Sequence, residues 1–440
     1  MALTRRKLTA TAVTGAGAWL AAACGAPGAG TGTKSTAPAN ITFHWIGASE
    51  QEMVEKRVPI FMSEHPNIKV NLEPYDDAKV ITLAAAGSLG DVLTSSASAG
   101  QPSVFYVKKI TQALDALIAR DKLDMKQWFA PLVDAAKVDG KQIAMIFNGK
   151  LARVAVFYNR SMFDKAGLKY PDANWTTDQY MEAAVKMTKA DAGEWGMATH
   201  FKTDQSYVIA YLRRWNGDLF DKAGKKATLE TNEARTAFQW AWDMYHNKKV
   251  APISGDEAKL FQTGKGGIML HRDFNQKNAV TEASKAQNFQ YGASFGPKGP
   301  TGRRGGLWTF RACMLNSQTK SRDASWELAK FMCDKESGVA LALQTAPGTS
   351  TTGGGRPDVY GDPRLINHPS APKEVQEAER DSQNSTEPYA LPWNYRVDEV
   401  SKAINPFIDK IVKNEAQPTA GFMREANEAV QRVLDLPELT

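Results

Sequence analysis

The sequence is poor in the side chains from which metal sites and disulfide frameworks are built. It contains three cysteines and six histidines in 440 residues. No cysteines show C-x-x-C spacing and no histidines show H-x-x-x-H spacing, so neither a zinc site nor another metal site is indicated. Cys313 and Cys333 lie in apolar segments, where free cysteine behaves as a small buried hydrophobe. An exported protein could pair them, but we expect two unpaired thiols.

Motifs of catalysis and of nucleotide binding are also missing. Gly292 to Gly296 match the G-x-S-x-G elbow around Ser294, but the following "PKGPTGRRGG" cannot start the helix that an elbow requires. Gly264-Lys265 lacks the other residues of a phosphate loop. These absences disfavour an enzyme and predict no cofactor. A secreted hydrolase stays as a remote alternative, because acidic pairs such as Asp76-Asp77 are of the kind that glycosidases use.

Excess charge and long apolar runs are scarce as well. The 54 Lys and Arg residues nearly balance 48 Asp and Glu residues, and the formal charge of +6 is too small to indicate a nucleic-acid partner. The apolar run near the start is shorter than the ~20 residues of a membrane-spanning helix. Apolar residues make up 42% of the chain. A body of this length exceeds one comfortable hydrophobic core, so two lobes are expected.

Residues 1–23 have the layout of a signal peptide. Arg5, Arg6 and Lys7 form a cationic start, and an uncharged run of small and apolar residues follows. The segment "LAAACG" resembles the lipobox of bacterial lipoproteins, in which the chain is cut before the cysteine and a diacylglycerol is joined to its sulfur. Cys24 is therefore the predicted lipidation site. The Arg5-Arg6 pair also resembles a twin-arginine export signal, although Thr9 stands where a second large apolar residue is usual.

Residues 24–39 are predicted to be a lipid-anchored flexible linker. Residues 25–39 are Gly, Ala, Pro, Thr, Ser and a single Lys, a composition that cannot form a core. Such a linker has a reach of about 20 Å. The expected location is the outer face of the cell membrane.

The rest of the chain shows the alternation typical of an α/β protein. Residues 41–45 and 68–72 have the period of two that predicts half-buried strands, and a helix is predicted between them. Ser49 and Glu52 are spaced as a capping box for that helix, as are Thr176 and Gln179 for a later one. Thr231 is predicted to cap another helix. A strand, helix, strand order favours a parallel sheet.

Tryptophan is abundant, with eleven residues, and several occur outside the helical stripes. Trp45 ends a predicted strand, while Trp308 and Trp393 lie in "RRGGLWTFRA" and "ALPWNYR". Sugar rings present apolar faces that stack on aromatic side chains, while amides and charged groups hold the hydroxyls. Together these residues suggest a cleft for a saccharide.

From about Ile41 to Val433 the chain resembles the extracellular solute-binding proteins of ABC importers, the group that includes maltose- and glycerol-phosphate-binding proteins. The segments that carry the resemblance include "HPNIKVNLEPYDD", "VDGKQIAMIFN", "VFYNRSMFDKAGLKYPDANWTTDQYMEAAVKMT", "YGASFGPKGPTGR" and "DASWELAKFMCDKESG". The resemblance implies a two-lobe periplasmic-binding-protein-like (class II) α/β fold with a hinge and an interlobe cleft. Lobe 1 would comprise residues 40–153 and 306–345, and lobe 2 residues 154–305 and 346–440.

The resemblance also implies a set of ligand-binding positions. Carried over residue by residue, the expected contacts are Trp45, Ser49, Glu50, Ser95, Arg153, Phe274, Trp308, Arg311, Trp393 and Tyr395. The chain departs from its sugar-binding relatives at Ser95-Ser96, where many have an aromatic residue, and at Phe274, where tryptophan is usual. One stacking surface is therefore missing from this pattern.

The function implied is the capture of a mono- or oligosaccharide and its delivery to ABC permease subunits in the membrane, by a monomer. Arg153, Arg272 and Arg311 map near the hinge or the cleft. Because guanidinium groups bind carboxylate and phosphate bidentately, an anionic solute such as a glycerol phosphodiester or an acidic sugar is the alternative. Structural salt bridges are a third use for these arginines.

Overall fold

A computed structural model of the chain describes residues 38–96, 101–198, 201, 205–345, 352–385, 390–392 and 396–437. These residues lie within one compact unit, Lys34–Thr440. The predicted signal peptide, Cys24, most of the linker, Trp393 and Tyr395 lie outside the described residues.

The strands of the described chain form two larger sheets and one small one. The first sheet has the order β2-β1-β3-β11-β6, the second has the order β10-β7-β9-β8, and β4 pairs with β5. The bounds are β1 Ala39–Ile46, β2 Ile68–Tyr75, β3 Val92–Ser96, β4 Lys137–Val138, β5 Lys141–Gln142, β6 Met145–Ala152, β7 Ala155–Asn159, β8 Trp195–Met197, β9 Gly266–Arg272, β10 Tyr291–Phe295 and β11 Leu307–Leu315.

Helices surround both larger sheets. Their bounds are α1 Gln51–Glu64, α2 Val80–Ala85, α3 Gln101–Val107, α4 Asp115–Asp121, α5 Ala130–Ala135, α6 Arg160–Lys165, α7 Thr177–Met187, α8 Gln205–Arg214, α9 Asn232–Trp242, α10 Glu257–Gln262, α11 Lys277–Ala286, α12 Arg322–Met332, α13 Lys335–Ala342, α14 Pro357–Tyr360, α15 Pro363–Ile366, α16 Lys373–Gln383, α17 Val397–Val412 and α18 Ala420–Leu434. A π-helical turn, Asp243–Asn247, continues α9.

The predicted strand, helix, strand unit is confirmed as β1, α1 and β2. The two strands are parallel, with Ala39 opposite Ile68, and the alternate residues of β1 are buried as its period of two requires. The predicted capping box of α1 is wrong. Its N-cap is Glu50 and has no side-chain cap, because the Ser49 hydroxyl donates to the Glu50 carboxylate at 2.6 Å instead.

The other two predicted caps are confirmed. The Thr176 side chain accepts from the Gln179 backbone N–H, and the Gln179 side-chain oxygen accepts from the Thr176 backbone N–H. Together the two bonds form a complete capping box on α7. The Thr231 side chain accepts from the Ala234 backbone N–H at the start of α9. Short side chains at these positions therefore determine where the helices of the second sheet begin.

Each large sheet has its own hydrophobic core. Phe43, Phe147 and Trp326 belong to the core around the first sheet, and Tyr180, Phe238 and Ile404 belong to the main core around the second. The C-terminal part of the chain contributes to both sides. Helix α16 packs along β10 of the second sheet, whereas Val359 and Leu365, on α14 and α15, pack against Val339 on α13.

Cys313 on β11 and Cys333 after α12 are both buried free thiols, as expected from their apolar surroundings. Burial raises the pKa of the Cys333 thiol well above its ordinary value. Both side chains therefore act as core residues of the first sheet.

Gly196 gives a test of how closely α7 packs on β8. A Cβ atom at this position would lie 2.0 Å from the Ala184 carbonyl oxygen. We expect Gly196→Ala to lower the free energy of unfolding by about 3 kcal/mol, because backbone on both sides prevents relaxation. Urea melts measure the change.

The matched control is Gly361→Ala, where a Cβ would meet no atom within 4 Å and φ is −87°. This substitution should change stability by no more than about 0.5 kcal/mol. Equal midpoints for the two variants would show that the α7–β8 contact is looser than described.

Candidate functional site

A group of polar residues lies at the edge of the first sheet where the parallel strands end. Ser49 and Glu50 form the turn after β1, and Arg311 on β11 is paired with Ser96, the last residue of β3. The register of β11 against β6 shifts between Arg311 and Ala312, and the Arg311 backbone N–H donates to Asn148 Oδ1 at 3.2 Å. Irregularities of this kind redirect side chains at strand ends.

The residues Ser49, Glu50, Asn148 and Arg311 form what we call the Glu50 cluster. Arg311 Nε lies 2.7 Å from Glu50 Oε1, and Arg311 Nη2 donates to Ser49 Oγ at 3.1 Å. Asn148 Nδ2 donates to Glu50 Oε1 at 3.1 Å. Gln344 Nε2 fixes the turn by donating to the Ser49 carbonyl at 2.9 Å. The carboxylate is therefore bound on both oxygens.

Burial is the main electrostatic influence on this cluster. It raises the pKa of the Glu50 carboxyl above its ordinary value, while the Arg311 charge and the hydrogen bonds from Ser49 and Asn148 oppose that rise. Arg311 Nη1 has no hydrogen-bond partner among the described residues. This nitrogen is fully buried, so a solute would meet the exposed part of the Arg311 side chain, 24% of its surface, and not Nη1.

A second polar group joins the two sheets, and we call Lys150, Arg153 and Asp273 the Asp273 junction. Asp273 follows β9 of the second sheet, and Lys150 lies on β6 of the first. Lys150 Nζ lies 2.9 Å from Asp273 Oδ2, the Arg153 backbone N–H donates to Oδ1 at 2.7 Å, and Arg153 Nη1 lies 3.3 Å from Oδ2. One carboxylate thus holds the chain where it passes from β6 to β7.

The charges around Asp273 outweigh its burial. Burial alone would raise the pKa of this carboxyl, but Arg153 and Lys150 hold it well below its ordinary value. Arg153 has φ of +63°, a left-handed conformation that is uncommon for a residue with a Cβ. Its guanidinium lies 4.0 Å from the centre of the Tyr207 ring, and its Nε donates to Ser206 Oγ at 3.2 Å.

The third arginine near the junction is also paired. Arg272 Nη1 lies 3.0 Å from Glu257 Oε1 and donates to the Tyr207 hydroxyl at 2.9 Å. The Arg272 side chain is almost fully buried. All three arginines that the sequence placed near the cleft therefore have a carboxylate partner, at Asp273, Glu257 and Glu50.

The structure brings only some of the predicted contact residues together. Ser49, Glu50 and Arg311 share the Glu50 cluster, and Ser95 is buried beside it on β3, opposite Ala312. Arg153 belongs to the Asp273 junction, and Phe274 follows Asp273 directly. Their roles in binding stay predictions.

The aromatic residues among these predicted contacts lie mainly in packed surroundings. Trp45, Phe274 and Trp308 are 4%, 3% and 3% exposed. The Trp308 ring lies 4.8 Å from that of Phe129, and the Phe274 ring lies 6.0 Å from that of Phe157. The Trp45 indole N–H has no hydrogen-bond partner among the described residues.

Sequence reasoning missed Asn148, Lys150, Tyr207 and Asp273. Asn148 and Lys150 lie on a strand whose other residues are nearly all buried, so a polar side chain there was the available signal. Asp273 follows a strand in "MLHRDFN", and acids that follow strands often point to an edge where strands from different parts of the chain meet. Tyr207, near the start of an amphipathic helix, gave no distinctive signal.

The described residues contain no group of three or more His, Cys, Asp or Glu residues that could hold a metal ion. Ser294 lies within β10, paired with Val156, and not at the strand-to-helix turn of a nucleophile elbow. No helix in the described part of the chain is long and apolar enough to cross a membrane.

Comparison with known proteins identifies the class. Residues 46–339 match the family of bacterial extracellular solute-binding proteins, and the chain belongs to that family. Proteins of this family are not enzymes. A protein of Brucella abortus (strain 2308), named only as a binding protein, is 27% identical over 290 residues, which are 63% of this chain and 67% of that protein.

Solved structures show the same fold. The ABC substrate-binding protein of Listeria monocytogenes in complex with cycloalternan aligns with a TM-score of 0.72 and 20% identity, over 91% of this chain and all of that one (100%). Maltose-bound T. maritima MalE3 aligns with a TM-score of 0.66 and 22% identity, over 90% of this chain and 100% of that one. The predicted two-lobe, periplasmic-binding-protein-like α/β fold is thereby confirmed.

The low pKa of Asp273 predicts how the free energy of unfolding depends on pH in acid. Because the pKa of Asp273 is lower in the folded than in the unfolded chain, its stabilising effect is complete above the unfolded value of about 3.9 and is lost as the pH falls through the folded value. We expect Asp273→Asn to cost about 3 kcal/mol near neutral pH, since it removes the buried carboxylate that pairs with the half-buried Lys150 and Arg153 side chains. Denaturant melts at several pH values should show this difference shrinking only below about pH 4.

The control for this variant is Glu282→Gln, which breaks an exposed ion pair with Lys285. It should cost less than about 1 kcal/mol at any pH. A similarly small cost for Asp273→Asn would mean that the two sheets do not depend on this carboxylate.

Proposed function

We propose that the protein is the solute receptor of an ABC importer and that its solute is a mono- or oligosaccharide. The Glu50 cluster carries this proposal. Its carboxylate, amide and guanidinium groups can accept from and donate to hydroxyls, and the Arg311 side chain keeps 24% of its surface exposed. Family membership supports solute binding, and the two structural relatives named above are bound to sugars.

Binding would occur between the lobes, which we draw as residues 40–153 with 306–345 and residues 154–305 with 346–440. The two large sheets fall on the two sides of this division, and the Asp273 junction spans it. Helices α14 and α15 contact α13 across the boundary as drawn.

Closure of the lobes on a solute would bring residues of lobe 2 to the Glu50 cluster. Trp393 and Tyr395, which follow Pro392 in the sequence, are the proposed stacking residues of lobe 2.

An anionic solute is the second candidate, because cations are held close to the proposed site. Arg311 pairs with Glu50, and Lys150 and Arg153 both pair with Asp273. The phosphate of a glycerol phosphodiester or the carboxylate of an acidic sugar is the kind of group that guanidinium binds bidentately.

The membrane side of the proposal is a lipid anchor at Cys24 and a permease partner that receives the solute. The family is extracellular, which agrees with the export signal read from residues 1–23. The receptor would act as a monomer at the outer face of the cell membrane.

A thermal-shift screen of neutral sugars, acidic sugars and phosphoesters tests the solute class. A ligand at about 100 times its dissociation constant should add about 2.7 kcal/mol to the free energy of unfolding. Arg311→Gln should then weaken binding of that ligand by about 10- to 100-fold in titration calorimetry, because it removes a charged donor.

Arg160→Gln is the control for Arg311→Gln. Arg160 also pairs with a carboxylate, Glu374 at 2.8 Å, and its side chain is similarly exposed, 28% against 24%. It should leave affinity unchanged within about twofold. Equal losses in both variants would place the solute elsewhere, and stabilisation by anions alone would favour the second candidate.

The lipid anchor is tested by Cys24→Ser. The cysteine sulfur is the only thiol in the predicted anchor segment, and residues 25–39 contain no large apolar side chain. The variant should fold, lack the lipid mass on its N-terminal peptide, and leave the membrane fraction after a high-salt wash. Lipid attached to the variant, or retention of a signal-cleaved variant in the membrane pellet, would contradict the anchor.

A further inference from the structure

A pocket of about 740 Å³ lies at the edge of the first sheet opposite the Glu50 cluster. Its lining includes Asn40, near the start of β1, and Asp91, just before β3. Because β1 and β3 are parallel, these residues mark the amino edge, whereas Ser49 and Glu50 follow the carboxyl edge. The pocket is therefore separate from the candidate solute site.

Two loops form its cationic side. Lys108 and Lys109 follow α3, and Lys320 precedes α12. The loops are joined, because Ser317 Oγ donates to the Lys109 carbonyl at 2.6 Å and the Ser317 N–H donates to the Ile110 carbonyl at 2.9 Å. All three lysines are exposed, and neither Lys109 nor Lys320 forms an ion pair with a described residue.

The lining also contains apolar residues. Ile81, Ala84 and Leu89 belong to it, and the Ile81 side chain is one of the exposed large hydrophobic groups of the described chain, at 48%. An exposed isoleucine and exposed lysines around one pocket give the edge the amphipathic character of surfaces that lie at a lipid interface.

The one acidic residue of the lining does not cancel the lysines. Asp91 Oδ2 accepts the Thr42 N–H at 2.9 Å, and Oδ1 accepts the Thr319 hydroxyl at 2.5 Å. Both oxygens are thus directed to the protein. The rim keeps an excess of positive charge, and Lys69, which is exposed and paired in register with Asn40, adds to it.

The position of the linker determines what this edge can meet. The linker enters the fold at β1, whose second residue, Asn40, lines the pocket. With a reach of about 20 Å from a lipid at Cys24, the predicted linker would hold this edge nearer to the bilayer surface than the carboxyl edge.

We propose that the amino edge of the first sheet, defined by Ile81, Lys108, Lys109 and Lys320, docks on an anionic phospholipid surface. The lysines bind headgroup phosphates, and Ile81 contacts the interface. Docking leaves the carboxyl edge, with the Glu50 cluster, open to the solution for solute capture, and transfer of the solute to the permease requires release of the amino edge from the bilayer. The proposal uses the anchor at Cys24 for orientation only and does not depend on the identity of the solute.

Vesicle binding tests the proposal with a chain that begins at Gly25. The described contacts belong to Lys34–Thr440, so this chain retains them and lacks both the signal residues and the anchor cysteine. It should bind vesicles of phosphatidylglycerol and phosphatidylcholine, bind pure phosphatidylcholine far more weakly, and dissociate as salt is raised. The combined Lys108→Gln, Lys109→Gln and Lys320→Gln variant should bind on the order of 100-fold more weakly, about fivefold per lysine.

The matched control replaces Lys165, Lys186 and Lys249 with Gln, three exposed lysines on the side of the second sheet. Lys249 and Lys109 both have positive φ, 50° and 57°, so the two variants also match in backbone conformation. The control should retain binding within about threefold, as expected of charges remote from the contact. Equal losses, or equal binding to neutral vesicles, would overturn the proposal.

Calorimetry with inorganic phosphate separates a membrane surface from a small-anion site. Phosphate that binds the chain beginning at Gly25 but not its triple variant, without any vesicle binding, would overturn membrane docking in favour of an anion pocket. Solute binding in the same chain reports on the receptor function, so failure of the docking proposal and failure of the proposed function give different results.

Discussion

The structure depends on the neutralisation of one buried carboxylate, that of Asp273, at the place where the chain leaves the first sheet for the second. The carboxylate comes from the second sheet, the Lys150 ammonium comes from the first, and the Arg153 backbone lies between them. A buried ion with fixed partners specifies one arrangement, because any displacement leaves a charge unpaired. Gly296 completes the crossing by donating its N–H to the Val154 carbonyl at 2.7 Å.

The same constraint shapes the candidate site. Arg311 and Arg272 each have their own buried acid, so the site holds its cations by ion pairs that exist without a solute. Such preorganised groups lose little entropy when a ligand binds. The raised pKa of Glu50 shows what burial of its carboxylate costs, and Arg311 offsets that cost only in part.

Local patterns predicted the local structure. The alternation in β1 and β2 and the Thr176–Gln179 spacing determine contacts within a few residues, and these elements formed as expected. Ser49 was predicted to be a cap because of its spacing to Glu52. Its hydroxyl instead donates to Glu50 and accepts from Arg311, two residues that are 261 positions apart in the sequence. Asp273 and Lys150 are likewise joined across 123 positions, and no short motif encodes such a pair. The buried Trp308 shows the same limit, since its packing on Phe129 is a tertiary contact.

The parallel strands β1 and β3 give the first sheet two chemically different edges, and our proposals assign a role to each. At the carboxyl edge of β1 and β3 the turn is fixed by Gln344 and presents buried, paired charges, which suit a small solute that must be held in one orientation. At the amino edge the lysines are exposed, which suits a surface whose phosphates are not fixed in position. Because β1 begins at the amino edge, the proposed tether and the proposed solute site would lie at opposite ends of the same strands.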